Sequence, residues 1–406
     1  MTRRLRRLLV TSHVVHYRHE GQLFAYGPYT REIDIWADLF AEVVIASPCR
    51  QEAPPGDCLA FSRPNIHIDP QWETGGDDWW SKCRQFFLLP GLVWGLIRAM
   101  LRADALHVRC PGNLGLLGSL LGPLFVRYRV AKYAGQWNGY RGEGLTVRWQ
   151  RRLLRSRWWG QPVTVYGEWP DQPPHVHSFF TSMMSDKQVR DALIVADAKQ
   201  IGGPLRILFC GRLVPEKRVV ALIDAAALIR QAGMAFELVI VGDGPERNKL
   251  ELQVRESGLS GHVTFVGALP YDEALTWYEW AHCLVLPSRH SEGWPKVVAE
   301  AMCYGIVCIA VDHGQVGRML KGRGKLLARG DAGELAEALH SVVSDPEASR
   351  ELGRAAAGWS RTYSLEGLRE ALYELLCREW SVELRKPCRN PMPRQSSAIS
   401  TQNIER

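Results

Sequence analysis

The chain has 406 residues, 46% of them hydrophobic and 23% charged; that is ordinary for a soluble globular protein but longer than one hydrophobic core usually serves, so two domains are expected. The net charge of +7 is lopsided, with 25 Lys/Arg against 18 Asp/Glu in residues 1–200 and 25 against 25 in residues 201–406. The ten cysteines stand singly, without a Cys-x-x-Cys pair or a Cys/His cluster, which argues against a disulfide framework or zinc site and makes a reducing cytosol the simplest compartment.

The basic start, Met1 to Arg7, passes after three apolar residues into Thr11-Ser12-His13, too short for a signal-peptide core. Residues 8–15 read as a strand, 29–40 as an amphipathic helix and 42–47 as a second strand, the opening of a doubly wound α/β domain. Gly27-Pro28 lies in the connection between them. Residues 48–80, rich in Pro, Gly, Asp and Trp, read as connections around a strand at 66–68. Residues 86–101 read as a helix, interrupted by Pro90, Gly91, Gly95 and Arg98 and too short to span a bilayer. Residues 105–109 form a buried strand ending at Cys110-Pro111-Gly112-Asn113, where α/β domains place ligand loops; Arg109 therefore reads as a phosphate or sugar contact, or equally as a structural ion pair.

From 127 to 157 there are nine Lys/Arg and one acid, Glu143, interleaved with Trp137, Tyr140 and Trp149. Arginine and tryptophan on one helix fit docking on an anionic membrane surface. No motif supports nucleic acid, and a solvated basic face over core tryptophans is the commoner origin of such a stretch. Trp137-Asn138 also fits an acceptor platform, because sugars stack on aromatic faces.

Residues 163–166 read as a strand and 196–204, ending Gly202-Gly203-Pro204, as a linker between domains at 1–200 and 201–364. Strands at 205–209, 237–241, 262–266, 283–286 and 306–310 then alternate with helices at 217–231, 246–256, 271–280 and 295–304. That alternation demands a parallel sheet covered by helices. Helices at 332–343, 346–363 and 365–380 follow, and 385–406 reads as a disordered tail.

The most informative stretch is Ser291-Glu292-Gly293-Trp294-Pro295-Lys296-Val297-Val298-Ala299-Glu300-Ala301-Met302. A strand, a loop and a helix opening near Pro295 make an anion site from free N–H groups and the helix dipole. Glu292 and Glu300 would stand roughly 12 Å apart at about 1.5 Å per residue, which suits two ends of one elongated ligand rather than a shared proton. Two glutamates at this spacing also occur by chance in many chains.

The stretch resembles the E-x7-E signature of retaining glycosyltransferases of family 4, including Gly293, Pro295 and Glu300-Ala301-Met302. Gly211-Arg212-Leu213-Val214-Pro215-Glu216-Lys217 is similar to that family's phosphate-contacting loop. Val241-Gly242-Asp243-Gly244-Pro245-Glu246 and Val263-Thr264-Phe265-Val266-Gly267 are further matches, so the resemblance covers about residues 205 to 310. It implies the GT-B fold: two Rossmann-like doubly wound domains facing a central cleft, with the acceptor on 1–200, the nucleotide-sugar donor on 201–364 and residues 365–384 crossing back to the first domain.

What the resemblance implies for chemistry is specific. Arg212 and Lys217 would neutralise the leaving diphosphate, helped by the helix opening at Gly293-Trp294-Pro295. No Asp-x-Asp occurs in the chain, so no metal or other cofactor is expected. Glu300 would accept hydrogen bonds from the ribose diol. Glu292 would face the sugar, as nucleophile or electrostatic support, and Gly242 and Gly244 would admit backbone close to the donor. On the acceptor or sugar side the candidates are Gly27, where the family has a paired-glycine loop, together with Arg109, Trp137 and Asn138. The expected protein is cytoplasmic, peripheral on the membrane face, and transfers a sugar to a glycan or lipid-linked acceptor. A nucleotide-sugar-binding scaffold without activity and a sugar-nucleotide epimerase are the alternatives; an NAD dehydrogenase is disfavoured because Gly242-Asp243-Gly244 lacks the full spaced glycine fingerprint.

Overall fold

The computed structural model describes residues 5–73, 79–139, 143–288 and 293–386, with 79–86 described by backbone alone. It divides into two compact units, residues 1–180 with 365–406, and residues 181–364.

In the first unit β1 (Arg7–Thr11) is followed by a hairpin of β2 (His16–His19) and β3 (Gln22–Tyr26), then α1 (Gly27–Leu39), β4 (Glu42–Ser47), β5 (Cys49–Arg50), β6 (Cys58–Ala60) and β7 (Ile66–Pro70). Next come α2 (Trp79–Met100), β8 (Ala105–Cys110), α3 (Asn113–Phe125), β9 (Tyr128–Tyr133), α4 (Leu145–Arg155), β10 (Val163–Tyr166) and β11 (Val176–Phe179). Seven strands form a parallel sheet in the order β11-β10-β9-β8-β1-β4-β7, and β5-β2-β3-β6 make a small separate sheet. β1 is apolar at Leu8, Leu9 and Val10 because helices cover both faces of the sheet. The chain moves one way across the sheet from β7 through β8 and β9 to β10, so right-handed crossovers put α2, α3 and α4 on the same face. Their core includes Leu96, Leu114 and Leu154, and the opposite core holds Ile33 and Trp36 of α1.

The second unit opens with α5 (Asp186–Ala198), started by a capping box in which Ser185 accepts from the Gln188 N–H and the Gln188 side chain accepts from the Ser185 N–H. β12 (Leu205–Cys210), α6 (Val219–Gln231), β13 (Phe236–Val241), α7 (Arg247–Glu256), β14 (Val263–Gly267), α8 (Tyr271–Trp280), β15 (Cys283–Leu286), α9 (Lys296–Cys303), β16 (Val307–Val311), α10 (Val316–Leu320), β17 (Lys325–Leu327), α11 (Ala332–Ser344) and α12 (Pro346–Ser360) follow. The strands are parallel in the order β14-β13-β12-β15-β16-β17. α13 (Leu365–Trp380) belongs to the first unit, where Leu368, Leu372, Leu376 and Trp380 share a core with α1. Arg369 also pairs with Asp38 at 3.1 Å.

Two expectations are corrected here. The linker expected at 196–204 falls inside the second unit, because α5 buries Val189 and Ala192 in the core of α9 and α12. The Lys199 ammonium there donates to the Tyr278, Glu279 and Ala281 carbonyls at 3.2, 2.6 and 3.1 Å, closing the end of α8. The basic stretch at 127–157 is a strand, a loop and α4 rather than one helix face. Arg129 donates to the Val126 and Trp159 carbonyls at 2.6 and 2.8 Å, Lys132 is buried against Glu32, and Arg151 is buried in a two-point pair with Glu143. The expected tail lies outside the described residues from 387 onward. Among the described residues no helix is long and apolar enough to cross a membrane.

Candidate active site

The strand order of the second unit reverses between β12 and β15: β13 and β14 lie to one side and β16 and β17 to the other. Open α/β sheets bind ligands beyond the carboxyl ends of the strands at such a switch point. The loop after β12 carries Gly211 to Arg218 and the loop after β15 leads through Gly293 to α9, so the two strongest sequence motifs flank this point. The helices that follow them, α6 and α9, pack on opposite faces, which leaves the loops to meet at the sheet edge.

Backbone hydrogen bonds stitch the loops after β12, β13 and β14 together. The Leu213 N–H donates to the Asp243 carbonyl at 2.9 Å, the Glu246 N–H to the Leu213 carbonyl at 3.1 Å, and the Gly242 N–H to the Gly267 carbonyl at 2.7 Å. A Cβ on Gly242 would fall 2.0 Å from the Gly211 carbonyl oxygen, and one on Gly244 would fall 2.4 Å from that of Leu213. Both glycines therefore leave room for the backbone of the neighbouring Arg212 loop. Arg212 is exposed and Lys217, at the end of a single 3-10 turn, is half-buried. Arg218, in the left-handed region at φ 52°, donates to the Pro287 and Arg329 carbonyls at 3.1 and 3.0 Å. It thereby ties the loop after β12 to the end of β15. His313 hydrogen-bonds the Ser288 carbonyl at 2.7 Å from the β16 side.

Glu292 lies outside the described residues. Gly293, Trp294 and Pro295 are described; Pro295 caps α9 rather than opening it, and its carbonyl accepts from the Val298 N–H at 3.0 Å. Trp294 stacks on Trp359 with ring centroids 6.1 Å apart and meets Tyr363 edge-on at 5.1 Å, which fixes the approach to α9 from the end of α12. Glu300 is buried on α9. Its Oε1 accepts from the Tyr271 hydroxyl at 3.2 Å and its Oε2 from the Tyr278 hydroxyl at 2.9 Å. A carboxylate has about four lone-pair sites, so this pair orients Glu300 without exhausting it. Burial, then Cys210 and Glu300, push the Tyr278 pKa far up, so it remains a donor. Burial and Glu300 push the Cys210 thiol to about 12, keeping it neutral. The two tyrosines escaped the sequence reading; their i, i+7 spacing on one face of α8 is the signal that would have found them.

In the first unit, Arg109 stands near the end of β8 and donates to Glu32 at 2.6 Å, with its guanidinium 4.8 Å from the Tyr29 ring centroid. Lys132 of β9 takes the other Glu32 oxygen at 2.5 Å. Burial alone would raise the Glu32 pKa, but Arg109 and Lys132 hold it well below the usual carboxylate range. Arg109 is thus in the ion pair that was its structural alternative. Gly27 begins α1 after the inserted hairpin rather than directly after β1, and a Cβ there would lie 3.1 Å from Leu59, so it serves packing on β6. Trp137 is fully buried, edge-on to Tyr133 at 5.2 Å, which corrects its reading as a sugar-stacking platform; Asn138 is exposed. Among the described residues no group of three His, Cys, Asp or Glu is arranged to hold a metal.

Residues 194–359, within the second unit, match the family model of glycosyl transferases group 1. Among curated proteins the chain is similar to 2-deoxystreptamine glucosyltransferase of Streptomyces kanamyceticus, 36% identical over 36% of this chain and 38% of that protein. It is also similar to D-inositol 3-phosphate glycosyltransferase of Nocardia farcinica, 34% identical over 42% and 40%. The match spans less than half the length of each of these relatives. Among solved structures, sucrose-phosphate synthase from Thermosynechococcus elongatus superposes with a TM-score of 0.69 at 19% identity, covering 93% of this chain and 99% of that one. Anabaena HepE in complex with UDP gives 0.67 at 15%, covering 92% and 100%. The fold is that of the GT-B glycosyltransferases, built from two Rossmann-like units.

Proposed function

We propose that the protein is a retaining glycosyltransferase that moves a sugar, a hexose in the simplest case, from a nucleoside diphosphate to a glycan or lipid-linked acceptor in the cytoplasm. The observation that carries this reading is the meeting of the Arg212–Lys217 loop with the loop into α9 at the switch point, inside the segment that matches the family model. Arg212 and Lys217 neutralise charge on the leaving diphosphate as the glycosidic bond breaks. Glu300, held by Tyr271 and Tyr278, accepts from the ribose diol, and Glu292 supports the sugar. These cations act in place of a metal, and exposed Asn138 is the acceptor-side group retained.

The test is donor hydrolysis and transfer with a panel of UDP-, GDP- and ADP-sugars. Glu292→Ala should abolish slow donor hydrolysis. Lys217→Ala should lower kcat by about a hundredfold or more, the scale of one preorganised charge contact, while the melting temperature stays within a degree or two. A chelator should leave activity intact. Equal loss of activity and stability in Lys217→Ala would make the lysine structural, and tight nucleotide binding without turnover on any acceptor would favour a scaffold.

A further inference from the structure

α3 packs between α2 and α4 on one face of the first unit's sheet, and the outer side of this layer is unusually apolar. Phe87, Trp94 and Leu101 are 81%, 70% and 69% exposed. Steps of seven residues put them on one stripe of α2, continued just past its end, with exposed Arg98 between them. On α3 glycines stand against the sheet and part of the leucine faces out. A Cβ on Gly115, Gly118 or Gly122 would come within 2.4–2.7 Å of Arg109, Thr11 or Leu106 on the sheet, so glycine faces inward and Leu124 outward, 62% exposed. α4 adds Trp149, 65% exposed, with exposed Arg152 close by on the same side of the helix.

Charge sorts the occupants. Residues 79–158 contain 14 Lys/Arg and two Asp/Glu. Both acids are engaged, Asp104 by the Arg6 and Arg7 N–H groups at 3.0 Å and Glu143 by Arg151. A second copy pairing through this face would set arginine against arginine with no acid between them. Nucleic acid would satisfy the arginines but has no use for a row of exposed leucine and phenylalanine. The boundary between headgroups and acyl chains of an anionic bilayer accepts both sets, because aromatic rings and arginine stems sink there while guanidinium groups meet lipid phosphate.

We propose that the outer face of α2, α3 and α4 docks the protein on an anionic lipid surface. The contact is therefore made by three helices, and the 127–157 stretch contributes to it only through α4, since Lys132 and Arg151 of that stretch are buried. It is independent of the transfer chemistry and is read without substrates. The full chain is sedimented with vesicles of phosphatidylcholine alone and of phosphatidylcholine mixed with phosphatidylglycerol. Binding to the mixed vesicles alone, weakened by salt, is the expected result. Trp94→Ser with Trp149→Ser should lower the partition coefficient more than about tenfold at unchanged melting temperature. Arg98→Gln and Arg152→Gln should each lower it about fivefold. The proposal falls if the tryptophan variant binds vesicles like the parent chain, if that variant instead converts a dimer to a monomer, or if a single-stranded oligonucleotide competes fully with the vesicles.

Discussion

At the scale of single residues, burial decides which groups can act. Glu300 sits among aromatic hydroxyls rather than in solvent, so its direction is set by Tyr271 and Tyr278 before any ligand arrives. Removing either hydroxyl should loosen that direction. Tyr278→Phe is expected to raise the donor KM about fivefold to tenfold with little change in kcat, the cost of one charge-assisted hydrogen bond; a fall in kcat at constant KM would show that Tyr278 acts elsewhere. His16 gives a second residue-level prediction. Burial lowers its pKa to about 4, against hydrogen bonds with the Val14 and Pro48 carbonyls. The unfolded chain takes up that proton near pH 6.5, about its ordinary value. Between those limits the unfolded state binds a proton that the native state does not, so stability is present above about pH 6.5 and is lost as pH falls towards 4. His16→Phe keeps the ring against Phe61 and Tyr29 and removes the titration. Its melting temperature should drop less between pH 7 and pH 5, measured by thermal denaturation, and an unchanged slope would assign the acid lability to other groups, such as His282.

At the scale of elements, the contact between the loops after β12 and β13 depends on a missing side chain. With φ at 133° and a Cβ position 2.0 Å from the Gly211 oxygen, Gly242→Ala must displace backbone, at a cost of about 2–4 kcal/mol. Gly202, with nothing near its Cβ position, is the control; urea midpoints should separate the two, and equal midpoints would mean that the loops yield freely. The alternation from β12 to β16 was legible because parallel strands buried on both faces read as short apolar runs between longer amphipathic segments. Elements that invert this logic were not. α3 sets Gly115, Gly118 and Gly122 against the sheet and leaves Leu120 and Leu124 exposed, so its pattern does not mark a core-facing helix. β9 has Arg129 and Lys132 among its six residues; Lys132 pairs with Glu32 on α1 and Arg129 donates to the Trp159 carbonyl, partners distant in sequence that no local reading contains. The same limit applies to Trp137, since a tryptophan that fills a core and one that stacks on sugar look alike in a sequence. Arg212, Lys217 and Glu300 could be picked out as candidates because their motifs flank the switch point of the sheet, whereas the tyrosines that orient Glu300 come from another helix.

At the scale of the whole molecule, the two units differ in what they need from the rest of the chain. Both core clusters of the second unit lie wholly within residues 181–364, from Met184 to Ala356. The core around α1 in the first unit is closed by α13, which arrives only after the second unit is complete. Leu368, Leu372, Leu376 and Trp380 together contribute about 6–12 kcal/mol, at about 1.5–3 kcal/mol for each large apolar side chain buried. That approaches the entire stability of a typical domain, about 5–15 kcal/mol. A fragment of residues 181–364 should therefore melt cooperatively by itself and bind a nucleoside diphosphate through Arg212, Lys217 and Glu300, without transferring sugar. A chain ending at residue 364 should keep that transition in calorimetry and lose the one belonging to the first unit. Two intact transitions in the shortened chain would mean that α13 is dispensable to the first core; an isolated 181–364 fragment that melts without cooperativity would mean that the second unit borrows its stability from the first.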